Sequence, residues 1–335
     1  MNRRRFLQQA AAFSGLVATE FLPWQTLSAI AGEVDDFIRG PAVPDQPLRQ
    51  ISKHVWIVHA KHGFPTPENQ GLMSNLTFID TAKGVVVVDS GASVQIGEMA
   101  IRQIKRQFRK PVVAVINTHF HGDHWLGNDA FAAEYKGLPL YAHPGAIETI
   151  RGIQGNLWLT LLEKGTNGAT LSTRIVPPDH PLNHGAELAF GDVTLRIHHY
   201  GKAHTDHDLC VEVLEDRLTC VGDVAMDHRI ANMDDGSYNG TFKTYAALEQ
   251  TGSKIWLPAH GKPGPDVLKW NRSLFEGIYQ PCVQAIKEGK PLDEAKTLVL
   301  RDPRVATQAR TTLGFETYIG KYVSIAYLEA EADAF

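Results

Sequence analysis

The sequence predicts an α+β fold, a four-layer αββα sandwich in which two β-sheets face each other and helices cover the outside of each. Three observations lead there. Strand-like segments come in two runs, residues 54–89 and 187–222. Periodic helical segments alternate with strands between those runs, the pattern of a sheet with helices on its outer face. Loops carrying histidine and aspartate recur just past strand ends, where a rigid scaffold positions polar side chains. With 335 residues, 43% of them hydrophobic, the chain can bury a large core in one or two domains.

Residues 1–32 read as an address rather than as fold. Arg3-Arg4-Arg5-Phe6-Leu7 fits the R-R-x-F-L twin-arginine export pattern, a modest apolar stretch runs from Ala10 to Ala18, and Ala29-Ile30-Ala31 offers small residues for cleavage. That route exports proteins already folded, which suits a cofactor loaded beforehand. The expected mature protein is periplasmic, with residues 33–50 as a lead-in segment. No apolar run is long enough to span a bilayer. The formal net charge of −4 gives no basic field for nucleic acid, which disfavours a nuclease and leaves a small-molecule substrate.

The expected catalytic domain covers residues 51–265. It opens with strands at His54–His59, Met73–Asp80 and Gly84–Asp89, the first two separated by the Gly/Pro-rich loop Ala60–Gly71. A periodic helix over 94–108 leads to the apolar run Pro111–Ile116, which reads as a buried strand of a largely parallel sheet. Next comes Thr118-His119-Phe120-His121-Gly122-Asp123-His124-Trp125-Leu126-Gly127, then a helix from about Asn128. In extended backbone, side chains two apart point the same way, so His119 and His121 can hold one ion. Once the chain turns, Asp123 and His124 can reach a second. The spacing H-x-H-x-D-H is two half-sites built from one loop.

A short strand near 140–142, a helix from Pro144 and an unassigned segment at 156–172 follow. Strands resume at 187–190, 193–199, 208–214 and 218–222. Three more polar residues stand at or just past strand ends with glycine within a few positions, where a two-ion site would need them: His204, Asp223 in Val221-Gly222-Asp223, and His260 in Ala259-His260-Gly261. Residues 266–335 read as a helical extension, with a helix at 267–288 broken by Pro281 and an amphipathic stretch at 316–331. This extension is a cap on the sandwich or a homodimer face.

The other candidates are mostly structural. Cys210, Cys220 and Cys282 are too few for a disulfide framework and read as buried thiols, although Cys210 and Cys220 flank a hairpin turning at Glu215-Asp216 and could lie close together. His54, His59 and His62 match no ligand spacing and read as surface or capping residues, while His143, just past a strand end, reads as structural ahead of a role in orienting a metal ligand. His198-His199 lies on a strand, so only one of the two points inward. Trp125 is expected to pack as a wedge, and Tyr238 and the loop around Phe64 are candidates for a pocket rim.

The ordered set Asp89, H-x-H-x-D-H at 119–124, His204, Asp223 and His260 resembles the metallo-β-lactamase superfamily of metal-dependent hydrolases. The resemblance implies two Zn²⁺ per chain, the first held by His119, His121 and His204 and the second by Asp123, His124 and His260, with Asp223 bridging. Imidazole and carboxylate ligands without thiolate suit zinc, with iron or manganese as alternatives. Asp89 would orient the loop and a ligand histidine from behind. A metal-bridged hydroxide would attack a small ester, thioester or related bond, with Asp123 orienting it or taking its proton. No serine or cysteine nucleophile is needed, and the chain has no G-x-S-x-G. Aspartate at 223 resembles thioesterases, glyoxalase II and phosphodiesterases more than lactam-cleaving relatives, so β-lactamase-type amide hydrolysis is the second reading. His207 stands where relatives usually carry glycine and is expected to fill space.

Three stretches are similar to a narrower periplasmic branch, the quinoprotein relay system zinc metallohydrolases related to the sulfur-oxidation accessory hydrolase: Ala203–Leu209, Asp235-Gly236-Ser237 with Gly240, and Gly320-Lys321-Tyr322-Val323. That branch implies a third reading, a non-catalytic metal-binding accessory protein with a periplasmic quinoprotein partner.

Overall fold

The computed structural model describes residues 39–61, 63–230 and 232–334. The export-like segment and His62 lie outside the described residues. In the first sheet β1 (Leu48–Gln50), β2 (Val55–Val58), β3 (Leu76–Thr81), β4 (Gly84–Val88), β5 (Val112–Ile116), β6 (Leu140–Ala142) and β7 (His180–Pro181) lie side by side in chain order. β1 to β4 form an antiparallel meander, while β4 to β7 are parallel. The sheet is therefore evenly mixed, not largely parallel. The apolar run at 111–116 does sit among parallel neighbours, but the short β3–β4 connection is a hairpin, and hairpins force antiparallel pairing.

Helices cross over between the parallel strands. They are α1 (Val94–Gln107), then α2 (Gly122–Trp125) and α3 (Asn128–Glu134), then α4 (Pro144–Thr149), one π-helical turn (Ile150–Gln154) and α5 (Gly155–Gly165). The unassigned segment thus begins as helix. The second sheet contains β8 (Glu187–Ala189), β9 (Thr194–His198), β10 (Cys210–Val213), β11 (Leu218–Gly222) and β12 (Ile255–Pro258), in the order β12-β11-β10-β9-β8. It is antiparallel except for β11–β12, which α6 (Tyr238–Glu249) connects.

β4 shows why these residues make layers. It is buried on both faces, and its side chains alternate between them. Val86 and Val88 join Ile57, Ile116, Ile197 and Val211 in the core between the sheets. Val85 and Val87 pack outward with Ile96, Met99 and Ile104 of α1. Ser93 starts α1 by accepting the Ile96 N–H at 3.2 Å. On the far side, Cys210 and Val221 pack outward against Tyr245 and Leu248 of α6. The order is helix, sheet, sheet, helix.

The register also settles the cysteines. Cys220 lies opposite Val211, so Cys210 is one residue out of phase with it. Cys220 faces the inter-sheet core and Cys210 the outer layer, and all three cysteines are free and buried.

The chain ends in α7 (Val267–Lys287), α8 (Leu292–Arg301), α9 (Pro303–Ala309) and α10 (Phe315–Ala332). Contrary to the expected break, α7 runs through Pro281. Proline removes one helical hydrogen bond and crowds the carbonyl four residues back. Here Ile278, Tyr279, Cys282 and Ala285 are buried against Ile319, Tyr322 and Val323, and that packing holds the helix straight through. Among the described residues no helix is long and apolar enough to cross a membrane.

Candidate metal centre

Side chains behind the 119–124 loop shape it. Past β5, Asn117 donates from its backbone N–H to Tyr141 O (2.8 Å) and from Nδ2 to His124 O (2.9 Å). Ser74 Oγ donates to Asp123 O (2.7 Å), and buried Trp125 donates from Nε1 to Phe120 O (2.8 Å), the wedge role expected of it. Gly122 opens α2, where an added Cβ would stand 2.8 Å from Trp158 Cβ, so only glycine lets α5 lie this close over the loop.

Asp89 supports the site from behind, as expected of it. Its backbone takes the left-handed region at φ 61°, uncommon outside glycine but accessible to aspartate. Its carboxylate accepts from Thr118 N (2.8 Å), Thr118 Oγ1 (2.9 Å) and His124 Nδ1 (2.8 Å). Thr118 Oγ1 in turn lies 3.0 Å from His119 Nδ1. His260 Nδ1–H donates to Met73 O (2.8 Å). Asn75 fastens the same region by donating to Pro258 O and Gly261 O, both at 2.9 Å, while its Oδ1 accepts from Ala60 N (3.0 Å). With one ring nitrogen engaged in each case, the other faces inward, where its lone pair is available to a cation once any proton on it is given up.

The seven expected donors converge in two sets, His119, His121, His204 and Asp223, and Asp123, His124 and His260. Asp223 Oδ2 is common to both: it lies 3.9 Å from His119 Nε2, 3.5 Å from His204 Nε2, 3.6 Å from His124 Nε2 and 3.4 Å from His260 Nε2. Asp123 Oδ2 lies 3.3 Å from both His124 Nε2 and His260 Nε2. His204 Nε2 and His121 Nδ1 are 3.0 Å apart. Donors about 2.0–2.2 Å from a tetrahedral zinc stand roughly 3.3–3.6 Å from one another, and these spacings fall around that range. His119 Nε2, Asp123 Oδ2, His124 Nε2 and Asp223 Oδ1 are all buried with no hydrogen-bond partner. Buried polar atoms are ordinarily paired, and this donor chemistry fits metal cations.

The charges agree. Burial pushes the Asp123 and Asp223 carboxyls up, but His124 and His260 outweigh it and hold both well below the usual carboxylate range. Burial lowers His119 and takes His204 down to about 3, so both are neutral imidazoles able to donate lone pairs. Burial also opposes protonation of His124, yet Asp123, Asp223 and Asp89 prevail and raise it well above the ordinary value. Such a site takes up a cation by giving up protons.

Five of the donors, His121, Asp123, His204, Asp223 and His260, line a cavity of about 240 Å³ walled by Phe64, Trp158, Leu161, Met226, Arg229 and Tyr318. Phe64 is at the rim as expected. Tyr238 is not: it is fully buried among the C-terminal helices, stacked on Tyr279 (5.6 Å) and donating its hydroxyl to Tyr322 O (3.2 Å). His207 stays outside the cluster and stacks on His143 at 5.0 Å, which makes it a packing residue. His54 bonds Asp216 (2.6 Å), His59 bonds Asn75 (3.1 Å) and buried His198 bonds Glu212 (2.8 Å), and none of them joins the cluster.

Three neighbours of the site are not among the residues the sequence singles out as donors or rim. Asp235 Oδ2 lies 3.1 Å from His121 Nε2; its Asp-Gly-Ser stretch stood out, but only as a resemblance. The Trp158 ring lies 4.6 Å from that of His121. Arg229 is only 8% exposed, donates to Gly63 O (2.6 Å), stands 3.3 Å from His260 Nδ1 and covers the Phe64 ring at 4.6 Å.

Residues 69–286 match the family described as the metallo-beta-lactamase superfamily. The chain is 24% identical over 271 residues to a metallo-beta-lactamase type 2 of Bacillus sp. (strain 170), covering 79% of this chain and 95% of that protein. It is 36% identical over 284 residues to a linear primary-alkylsulfatase of a Pseudomonas species, covering 73% of this chain and 52% of the relative, so it spans about half of that protein. Among solved structures, a metallo-beta-lactamase from Pontibacter korlensis superposes with TM-score 0.54 at 20% identity, covering 69% of this chain and 98% of the other, which supports the fold. By family match, fold and convergent donors together, this chain belongs to the metallo-β-lactamase superfamily of metal-dependent hydrolases.

Proposed function

We propose that the protein is an exported hydrolase that loads two zinc ions and cleaves a small ester, thioester or related bond. The observation that carries this reading is Asp223 Oδ2, placed within 3.9 Å of imidazole nitrogens from both donor sets. His119, His121 and His204 would hold one ion, Asp123, His124 and His260 the other, and Asp223 both. When bound, two such ions bring the pKa of a shared water towards neutrality and polarise the electrophile.

The chain's own residues do the rest. Asp123, buried at the base of the cleft, can through its carboxylate orient the attacking water and accept its proton. Phe64, Trp158 and Tyr318 wall the cleft and limit water. The oxygen of water forms the new bond to the acyl carbon, the bond to the leaving oxygen or sulfur breaks, and the proton passes to the leaving group.

The test is metal analysis followed by turnover of a panel of esters, thioesters and nitrocefin. We expect about two zinc per chain, in line with two-metal hydrolases, and faster cleavage of esters or thioesters than of nitrocefin. Fully zinc-loaded protein that cleaves none of them overturns the reading. β-Lactamase-type amide hydrolysis is kept as the second reading because the Bacillus relative, covered over 95% of its length, is named for it. The twin-arginine pattern at Arg3–Leu7 supports a periplasmic location, which fractionation of a tagged full chain tests. The narrower resemblance adds a periplasmic quinoprotein partner, which a pull-down with purified periplasmic dehydrogenases tests.

A further inference from the structure

We propose that the substrate carries a long apolar chain, which lies along an exposed hydrophobic stripe on α5 and the π-helical turn before it, a stripe that begins inside the cleft. The proposal rests on the hydrolase reading and narrows its substrate to acyl or alkyl amphiphiles. Exposed large hydrophobics among the described residues are Ile153 (72%), Leu157 (51%), Leu161 (48%), Leu171 (36%), Leu300 and Leu328. Four of these six fall between residues 153 and 171. Leu157 and Leu161 stand one turn apart on α5, and Ile153, in the π-helical turn that leads into it, stands four residues before Leu157, so the three continue one line along the helical segment.

This stripe is not the helix's core-facing side. Leu162 fills that role and is fully buried. Nor is it the ordinary solvent side, which Asn156, Thr160 and Lys164 supply. α5 therefore has a polar exposed face and a separate apolar exposed one, and a contiguous exposed apolar patch marks a binding surface.

Its position names the occupant. Leu161 belongs to the stripe and also lines the cleft, and Trp158, the other cleft residue of α5, stands 4.6 Å from the His121 ring. From Leu161 the stripe runs outward to Leu157, about 6 Å along α5 at the helical rise of 1.5 Å per residue, and on to Ile153 in the π-helical turn before it. At the inner end lie the metal donors and Arg229, and none of the ion pairs among the described residues involves that buried guanidinium. A cleft that is polar at its base and apolar outward is complementary to an amphiphile with its reacting group inside and its chain along this stripe.

The experiment uses the full zinc-loaded chain with acetyl, hexanoyl and decanoyl thioesters below their micelle concentrations, and the double variant Ile153→Ser/Leu157→Ser. These side chains are exposed, so the fold should tolerate the changes. We expect kcat/KM to rise at least about tenfold from acetyl to decanoyl in the parent, and the double variant to lose about that gain. Independently of turnover, decanoate should bind the parent and be weakened about tenfold in the variant, by calorimetry and Trp fluorescence. A flat chain-length profile with decanoate binding absent or unchanged overturns the inference and leaves the hydrolase reading standing. Stripe-dependent decanoate binding with no thioester or ester cleaved at any length supports the stripe and overturns the hydrolase reading. Self-association, or sedimentation with phosphatidylglycerol vesicles, that the double variant abolishes while chain-length preference persists reassigns the stripe to a second copy or to a lipid surface and overturns the inference.

Discussion

His119, His121 and His204 form one half of the centre, Asp123, His124 and His260 the other, and their outer atoms lean on different things. In the second half, His124 is held by the buried carboxylate of Asp89, His260 by the main-chain carbonyl of Met73, and Asp123 brings a charge of its own. In the first half, all three donors are imidazoles. His119 rests on a threonine hydroxyl, His121 on Asp235, whose side chain is 41% exposed, and His204 Nδ1 is buried with no hydrogen-bond partner. Outer partners fix ring orientation and raise ligand basicity. The second half is thus the stiffer and more negative seat, and the first depends on the shared charge of Asp223.

The comparison can be broken or sharpened by substitution. The largest effect is expected from Asp223→Ala, which removes the carboxylate both halves share. Metal content should fall by at least one equivalent and kcat/KM by more than about 10³-fold, beyond the 10–100-fold typical of losing an outer partner. Elemental analysis showing two retained ions would mean Asp223 is not shared.

Next come the single-half variants. His121→Ala should abolish turnover and empty the first position, and His260→Ala the second. Zinc titration with a competing chelator should find the ion left in His121→Ala held more tightly than the one left in His260→Ala. The reverse order would invert the comparison.

Smaller effects should follow from the outer partners. Asp89→Asn should weaken the second position by about 10–100-fold, while Asp235→Asn, at a screened and half-exposed site, should weaken the first by less than about tenfold. Equal losses would erase the distinction.

The smallest effect concerns the ground beside the first half, where His207, on the loop that carries His204, stacks on His143. Burial, with His199 and His207 nearby, lowers His143 to about 4. Above pH 6.5 the imidazole is neutral whether the chain is folded or not. Between 6.5 and about 4 the unfolded chain binds the proton and the fold does not, so stability declines as pH falls through that window. His143 Nδ1 caps α4 by accepting the Gly145 N–H at 3.2 Å; His143→Asn keeps a side chain able to do so and should remove this decline, a difference below about 1 kcal/mol after solvent screening. Urea midpoints measured across the window would show it.

Much of the centre was legible in the sequence because its donors obey local rules. They stand past apolar strands, beside glycines, in a spacing that two-residue alternation can interpret. The layers were legible for the same reason, as β4 shows. Asp235 was not, since nothing in its neighbourhood reports a partner more than a hundred positions away in the chain. Tyr238 misled because Gly236–Gly240 has the composition of a loop; in fact Ser237 Oγ accepts the Gly240 N–H at 3.0 Å and starts α6, which turns Tyr238 into the helical cap. Residues 156–165 resisted assignment because α5 is apolar on its exposed stripe as well as on its buried side, which blurs the helical period. Pro281 suggested a break that only packing from distant helices prevents.

The anchoring of His260 by Met73, with Asn75 pinning both sides of that histidine, has a consequence for how the protein is made. A nascent chain still on the ribosome can expose six of the seven donors and yet lack the last seat of the second half until β12 emerges and threads against residues synthesised long before. Full metal retention is therefore a readout of β12 having docked on the first sheet, and a quality-control step that senses it would pass only molecules whose two sheets have already met.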